Sequence, residues 1–155
     1  MRINKLKLTT VISIAALTVA AMSGVANAAI SGTQTWKMVD HRLENTSDGQ
    51  KLCLTGAGLE QATMQECGSK PETQDLREPN FAINGTLILD HNPYFAYGPI
   101  DNKIYIVQND AATKRWSHIN GQMITTDTYG SEKCLDIEGG KNVPGAKLYL
   151  ATCTR

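Results

Sequence analysis

Bulky apolar residues alternate with polar or small ones in short runs, and helical spacing is never sustained. Ile104 and Ile106 are interleaved with Tyr105 and Val107, and Leu148 and Leu150 with Tyr149 and Ala151. A period of two predicts half-buried strands, with Leu148 and Leu150 facing inward. Gly49, Gly56, Gly58, Gly85, Gly98, Gly121, Gly130 and Gly145 punctuate the pattern at short intervals, so the strands are short and the chain is all-β. A helix is permitted over 72–77, where Pro71 and Pro79 confine it to about two turns.

The pattern repeats. Gln34-Thr35-Trp36, Gln74-Asp75-Leu76 and Lys114-Arg115-Trp116 place a bulky apolar residue at intervals of 40 and 40. Cys53-Leu54 and Cys134-Leu135-Asp136 follow in the first and third units, with Pro93-Tyr94-Phe95 in the equivalent slot of the second. Each unit closes on an alternating strand, ending at Cys67, Asn109 and Cys153. Three units of roughly 40 residues, about 34–70, 71–111 and 112–155, make one domain, 29–155. A common period brings Trp36, Leu76 and Trp116 to the same depth in a shared core.

Residues 1–28 read as a secretory signal. Arg2, Lys5 and Lys7 precede an uncharged run over 9–22, which ends in the small-residue pattern Ala26-Asn27-Ala28. The competing reading, a retained membrane anchor, has a short apolar stretch diluted by Thr and Ser. Nothing else in the chain is apolar enough to span a membrane. The Ala-rich style is that of a bacterial exported protein, secreted or periplasmic. The whole chain has 15 basic and 15 acidic residues; without the three leader cations, 12 basic face 15 acidic, a net charge of −3. A mildly acidic surface lacks the basic stripe that a nucleic acid requires.

Export makes paired thiols the expectation for Cys53, Cys67, Cys134 and Cys153. Four cysteines allow three connectivities, and spacing alone does not choose among them. No two are closer than 14 positions, so the close pairs of a zinc site are missing.

The spaced elements resemble the ricin B-chain type of lectin, whose signature is Q-x-W, G-x-I, C-L-D-V and G-x-x-V-Q-L-W-x-C. The third unit is the most similar: Trp116, Gly121-Gln122-Met123, Cys134-Leu135-Asp136-Ile137, then Gly145 through Leu148-Tyr149-Leu150 to Cys153. The first unit matches at both ends, and the middle one keeps the hydrophobic skeleton. The resemblance implies a β-trefoil with intra-repeat disulfides Cys53–Cys67 and Cys134–Cys153. It also implies a sugar pocket in which the Asp of C-L-D accepts hydroxyls, an aromatic two residues before the closing cysteine stacks on the sugar, and an Asn or Gln near Q-x-W completes the hydrogen bonding. Asp136 is present, but Ala151 stands where the aromatic belongs. The first unit offers Thr55 and Gln65, and the second Ala96 with Val107. Tyr149 is a substitute ring, displaced by about 6.6 Å along its strand, and Asn142 is a candidate neighbour. The competing reading of Asp136 is a turn residue that bonds nearby backbone amides.

Tyr94, Phe95 and Tyr97 form the densest aromatic cluster. Tyr94 and Tyr97 are candidate ligand contacts, with Phe95 expected inside, at least one Tyr outside, and Tyr94, Phe95 and Ile104 filling the cysteine-free middle unit. Tyr105 is expected to face outward. Catalytic motifs are missing: 140–145 has phosphate-loop glycine spacing but continues into Ala146-Lys147, and no H-E-x-x-H or G-x-S-x-G occurs. No catalytic residue, metal or cofactor is expected. The resemblance implies a non-catalytic module for a glycan or glycosylated surface. The alternative is a degenerate trefoil acting as a protein-interaction or toxin-delivery subunit, like the binding subunits of cytolethal distending toxins, beside a toxin or enzyme subunit. A trefoil protease inhibitor presenting Lys103 or Arg115 is a third class.

Overall fold

The computed structural model describes residues 29–77 and 85–155; the expected leader, 1–28, and Pro79 lie outside the described residues. Two antiparallel sheets carry the chain. The first joins β1 (Lys37–Val39), β2 (Arg42–Asn45), β3 (Leu52–Ala57) and β4 (Glu60–Glu66) in sequence order. The second contains β5 (Leu87–Ile88), β6 (Phe95–Ile100), β7 (Lys103–Gln108), β8 (Ser117–Ile119), β9 (Gln122–Thr126), β10 (Glu132–Ile137) and β11 (Leu148–Ala151), in the spatial order β5-β6-β7-β11-β10-β9-β8. The fold is all-β, as the alternation predicts.

Tight turns set the register. Asp40-His41 between β1 and β2, Asp101-Asn102 between β6 and β7, and Asn120-Gly121 between β8 and β9 all have positive φ at both central residues. These are the primed turns whose twist matches paired strands. Asp and Asn tolerate the left-handed region because their short side chains bond locally. The helix is shorter than 72–77: α1 is Pro71–Gln74, with Pro71 inside its first turn and Asp75 already extended. Proline at the first helical position has no N–H to leave unsatisfied, so it opens the helix instead of excluding itself from it.

Trp36, Leu76 and Trp116 are 0%, 1% and 0% exposed and share one core with Leu43, Met123, Leu54, Leu135, Met64 and Leu150. Their depths agree with the 40-residue period. Backbone hydrogen bonds then join the repeats in a ring. Trp36 N–H donates to Gly121 O, Trp116 N–H to Gly85 O, and Leu76 N–H to His41 O, at 2.7, 2.7 and 2.8 Å. The direction is first repeat to third, third to second and second to first. Near the closing strands, Met64 N–H donates to Ala146 O and Leu150 N–H to Asn102 O; both donors stand three residues before a closing cysteine, and both bonds run the same way around.

Disulfides close the first and third repeats, Cys53–Cys67 and Cys134–Cys153, each with a Cα–Cα distance of 5.0 Å. No free cysteine is present. Loops of 14 and 19 residues correspond to about 3 kcal/mol apiece in the chain-entropy model. Such pairs are the pattern of an oxidising compartment. No helix among the described residues is long and apolar enough to cross a membrane.

The cysteine-free middle repeat is filled differently from the expectation. Ile104 is buried, but Tyr94 is 77% and Phe95 40% exposed, while Tyr97 is 0% exposed. Position along β6 explains the exchange. Strand β5 pairs with β6 at Leu87↔Tyr97 and Ile88↔Ala96, and Leu89 N–H donates to Phe95 O at 3.0 Å; Phe95 shares a face with Tyr97 but stands at the first position of β6, where it is only partly covered. Room for the Tyr97 hydroxyl depends on Gly56, where an added Cβ would lie 3.2 Å from that oxygen and 2.1 Å from Ile106 Cδ1. Tyr105 is half-buried.

Candidate functional site

Asp136 lies on β10 directly opposite Tyr149 on β11, in a register that also pairs Leu135 with Leu150 and Ile137 with Leu148. These four leucine and isoleucine partners lie in the core and point inward, which places Asp136 and Tyr149 together on the other face. Asp136 is 8% exposed and Tyr149 half-buried. One Asp136 oxygen accepts the Ile137 N–H at 2.7 Å, and the other accepts Gln34 Nε2 at 2.9 Å. The aspartate is thus both a backbone-bonding residue and one half of a contact between the first and third repeats.

Gln34 is the residue that sequence reasoning left unassigned. It is 1% exposed. Its Nε2 also donates to Thr152 O at 3.0 Å, while its Oε1 accepts from Thr154 N at 2.9 Å and from Gln122 Nε2 at 3.0 Å. A carbonyl can only accept and a backbone N–H can only donate, so these neighbours dictate the orientation of the amide. Gln74 repeats the arrangement one unit on: Nε2 donates to Glu66 O at 2.9 Å and Thr55 Oγ1 at 2.8 Å, and Oε1 accepts from Gly68 N at 2.6 Å. Each glutamine therefore grips the residues on either side of a closing cysteine and the side chain two places after the opening one. The recurrence of Gln at 34 and 74 in the same frame was the available signal.

Glu138 completes the patch. Gln61 Nε2 donates to Leu148 O at 2.8 Å and approaches Glu138 Oε2 at 3.5 Å. Burial raises the Tyr149 phenol above its ordinary value, and the Asp136 and Glu138 carboxylates raise it further, because a phenolate would repel both. Tyr149 accordingly presents a neutral ring and a hydroxyl donor beside two carboxylates.

The remaining candidates separate. Asn142 is 0% exposed; its Nδ2 donates to Asn45 O, Ser47 O and Gln50 O at 3.0, 3.2 and 2.9 Å. It clamps the turn between β2 and β3, and full burial takes it away from any ligand. Tyr97 is likewise enclosed, with its hydroxyl donating to Thr73 O, so it offers no surface for a ligand to meet. Tyr94 alone of the aromatic candidates in the middle repeat stands well clear of the fold, next to the partly covered Phe95. Ala151 faces Cys134 across the strands, and no ring occupies the stacking position.

Two other clusters have key members engaged internally. Asp40, His41, Asp75, Arg77 and Asp90 line a cavity of about 400 Å³, but Arg42 holds Asp75 at 2.6 Å and His91 approaches it at 3.5 Å. Glu44 lies within 4.8 Å of Cys53 and Cys67 Sγ; the two sulfurs are bonded to each other and supply no thiolate for a metal. The Asp136–Tyr149 face is the place where hydrogen-bonding groups, a ring and partial exposure coincide. Comparison of the chain with protein-family models, curated proteins and solved structures returned no match.

Proposed function

We propose that the chain is an exported, non-catalytic binding module built on the ricin B-type β-trefoil plan, which receives a glycan or glycosylated surface on the outer face of β10 and β11. The trefoil assignment is supported by the two sets of backbone bonds that link the repeats in one rotational sense. The observation that carries the function is the Gln34–Asp136 hydrogen bond beside the cross-strand Tyr149. A carboxylate acceptor, an amide and a ring are the three elements of a sugar site, here with the ring set across from the aspartate. With one half-buried tyrosine and an aspartate already accepting two bonds, affinity is millimolar, because few new hydrogen bonds are gained in exchange for water.

A glycan array with residues 29–155, followed by titration of retained sugars, tests this directly. Tyr149→Ala is expected to abolish binding with the thermal midpoint nearly unchanged. Undiminished binding by that variant would remove the site.

A second reading, a protein-interaction or toxin-delivery subunit without sugar binding, is favoured by Ala151 at the stacking position and by Tyr94, 77% exposed, beside Phe95. Under it no glycan is retained, and Tyr94→Ala, not Tyr149→Ala, weakens attachment to cells.

A further inference from the structure

The seams between repeats are held by glutamine twice and by threonine once, and the difference frees a lysine from the seam. Gln34 and Gln74 each bond the carbonyl before a closing cysteine and the N–H after it. At the third seam the equivalent groups are Gln108 O and Asp110 N–H, flanking Asn109. Both go to Thr113, whose Oγ1 donates to Gln108 O at 3.0 Å and accepts the Asp110 N–H at 2.9 Å. Lys114 occupies the register position of the two glutamines and is released from their task. Its Nζ makes one long hydrogen bond, 3.3 Å, to Asp127 O, leaving two of its three donors unspent.

Lys114 and its neighbour Arg115 line a cavity of about 540 Å³, together with Ile124, Thr126, Gly130 and Glu132 among others. Arg115 is exposed and has no ion-pair partner among the described residues. Glu132 at the rim is held by Arg155. The Asp127 carboxylate is 6% exposed and accepts the N–H groups of Tyr129 and Ser131. Two cations therefore share a hollow whose acidic neighbours are already engaged, in a domain whose net charge is −3.

We propose that this cavity is a second binding site, separate from the Asp136–Tyr149 face, for a saccharide bearing an oxyanion, either a sulfate ester or a carboxylate. Arg115 supplies a planar fork that matches two oxyanion oxygens, and Lys114 a point charge on a flexible stem. The volume is within the range of small-molecule sites, about 300–1,000 Å³, and exceeds the needs of a bare ion. Ile124 is the one large apolar side chain in the lining, so the hollow suits a hydroxylated carrier better than an apolar peptide side chain. The site does not depend on the sugar-binding role of Asp136 and stands if that role fails.

Isothermal titration of residues 29–155 uses four probes: a sulfated heparin hexasaccharide, a hyaluronan hexasaccharide carrying carboxylates alone, a neutral chitin hexasaccharide and inorganic sulfate. One or both anionic saccharides are expected to bind, weakening as salt rises from about 50 to 150 mM, and whichever binds identifies the oxyanion. Lys114→Gln combined with Arg115→Gln is expected to weaken that binding at least about tenfold. Arg115→Gln alone, at an exposed position, gives a smaller loss without disturbing the fold, and Lys37→Gln on the exposed start of β1 gives none. Undiminished binding by the double variant would overturn the site, as would failure of both anionic saccharides. Inorganic sulfate binding as tightly as the saccharides would overturn the saccharide carrier, and chitin binding as tightly, equally lost in the double variant, would overturn the oxyanion.

Discussion

Replacing Gln34 by Ala should be among the most destabilising changes at a polar position, and its size can be worked from the contacts. The lost amide makes one hydrogen bond to a carboxylate, at Asp136, and neutral ones to Thr152, Gln122 and Thr154. The charge-assisted bond contributes about 1.5–3 kcal/mol, and each neutral bond about 1 kcal/mol. Thr152 is exposed and Thr154 half-buried, so water entering the hole compensates them, and Gln122 keeps its bond to Thr154 O. The charged bond and the lost bond from Gln122 then remain, and the expected cost is about 2.5–4 kcal/mol. Gln74→Ala removes the same geometry with the neutral Thr55 in place of the aspartate, and should cost about 2 kcal/mol. Urea unfolding of both variants, with disulfides intact, measures the difference. A double-mutant cycle of Gln34→Ala with Asp136→Ala isolates the charged bond, with an expected coupling of at least about 1.5 kcal/mol. A coupling below about 0.5 kcal/mol, or a larger loss at Gln74 than at Gln34, would refute the assignment of the seam's strength to that pair.

Two further outcomes rest on the core. Burial pushes the Tyr97 phenol above its ordinary value, against smaller opposing effects from bonds to Gly56 and Thr73; a raised folded-state value means its contribution is intact below about pH 10 and is lost as pH climbs, by about 1.4 kcal/mol per unit. Unfolding measured from pH 9 upward should show that slope, and Tyr97→Phe should flatten it; an unchanged slope would mean that another group governs alkaline unfolding. Trp36→Ala and Trp116→Ala, both at fully enclosed positions, should each cost about 3–5 kcal/mol by calorimetry, and near-native midpoints for both would contradict equivalence of the repeats.

The strand-rich architecture and core were legible because each apolar position is set by a period of two within strands and of 40 between them. Trp36, Leu76 and Trp116 carry both signals. The disulfide pairs followed from resemblance and not from spacing, which left three connectivities open. Side-chain roles were harder wherever depth depended on strand ends. Phe95 and Tyr97 share a face, but Phe95 stands at the end of β6 and Tyr97 within it, and only the second is covered. Asn142 has the composition of a ligand contact, but three convergent carbonyls from 45–50 claim its amide, and no local pattern encodes a contact across more than ninety positions.

The three seams show why a resemblance in frame predicts the backbone better than the sites. Every seam must satisfy one carbonyl and one N–H on either side of the residue that closes a repeat, since buried backbone groups left unpaired cost more than a typical hydrogen bond returns. That requirement is met by Gln34 beside a charged acceptor, by Gln74 beside a hydroxyl, and by Thr113 with a shorter reach. Any side chain that meets the two backbone groups preserves the ring, so what stands next to it is free to diverge. At the first seam the neighbour is the acidic face of Asp136 and Tyr149. At the third it is a cavity with Lys114 and Arg115. A common scaffold thereby carries a carboxylate and a tyrosine beside one seam and a hollow with two cations beside another.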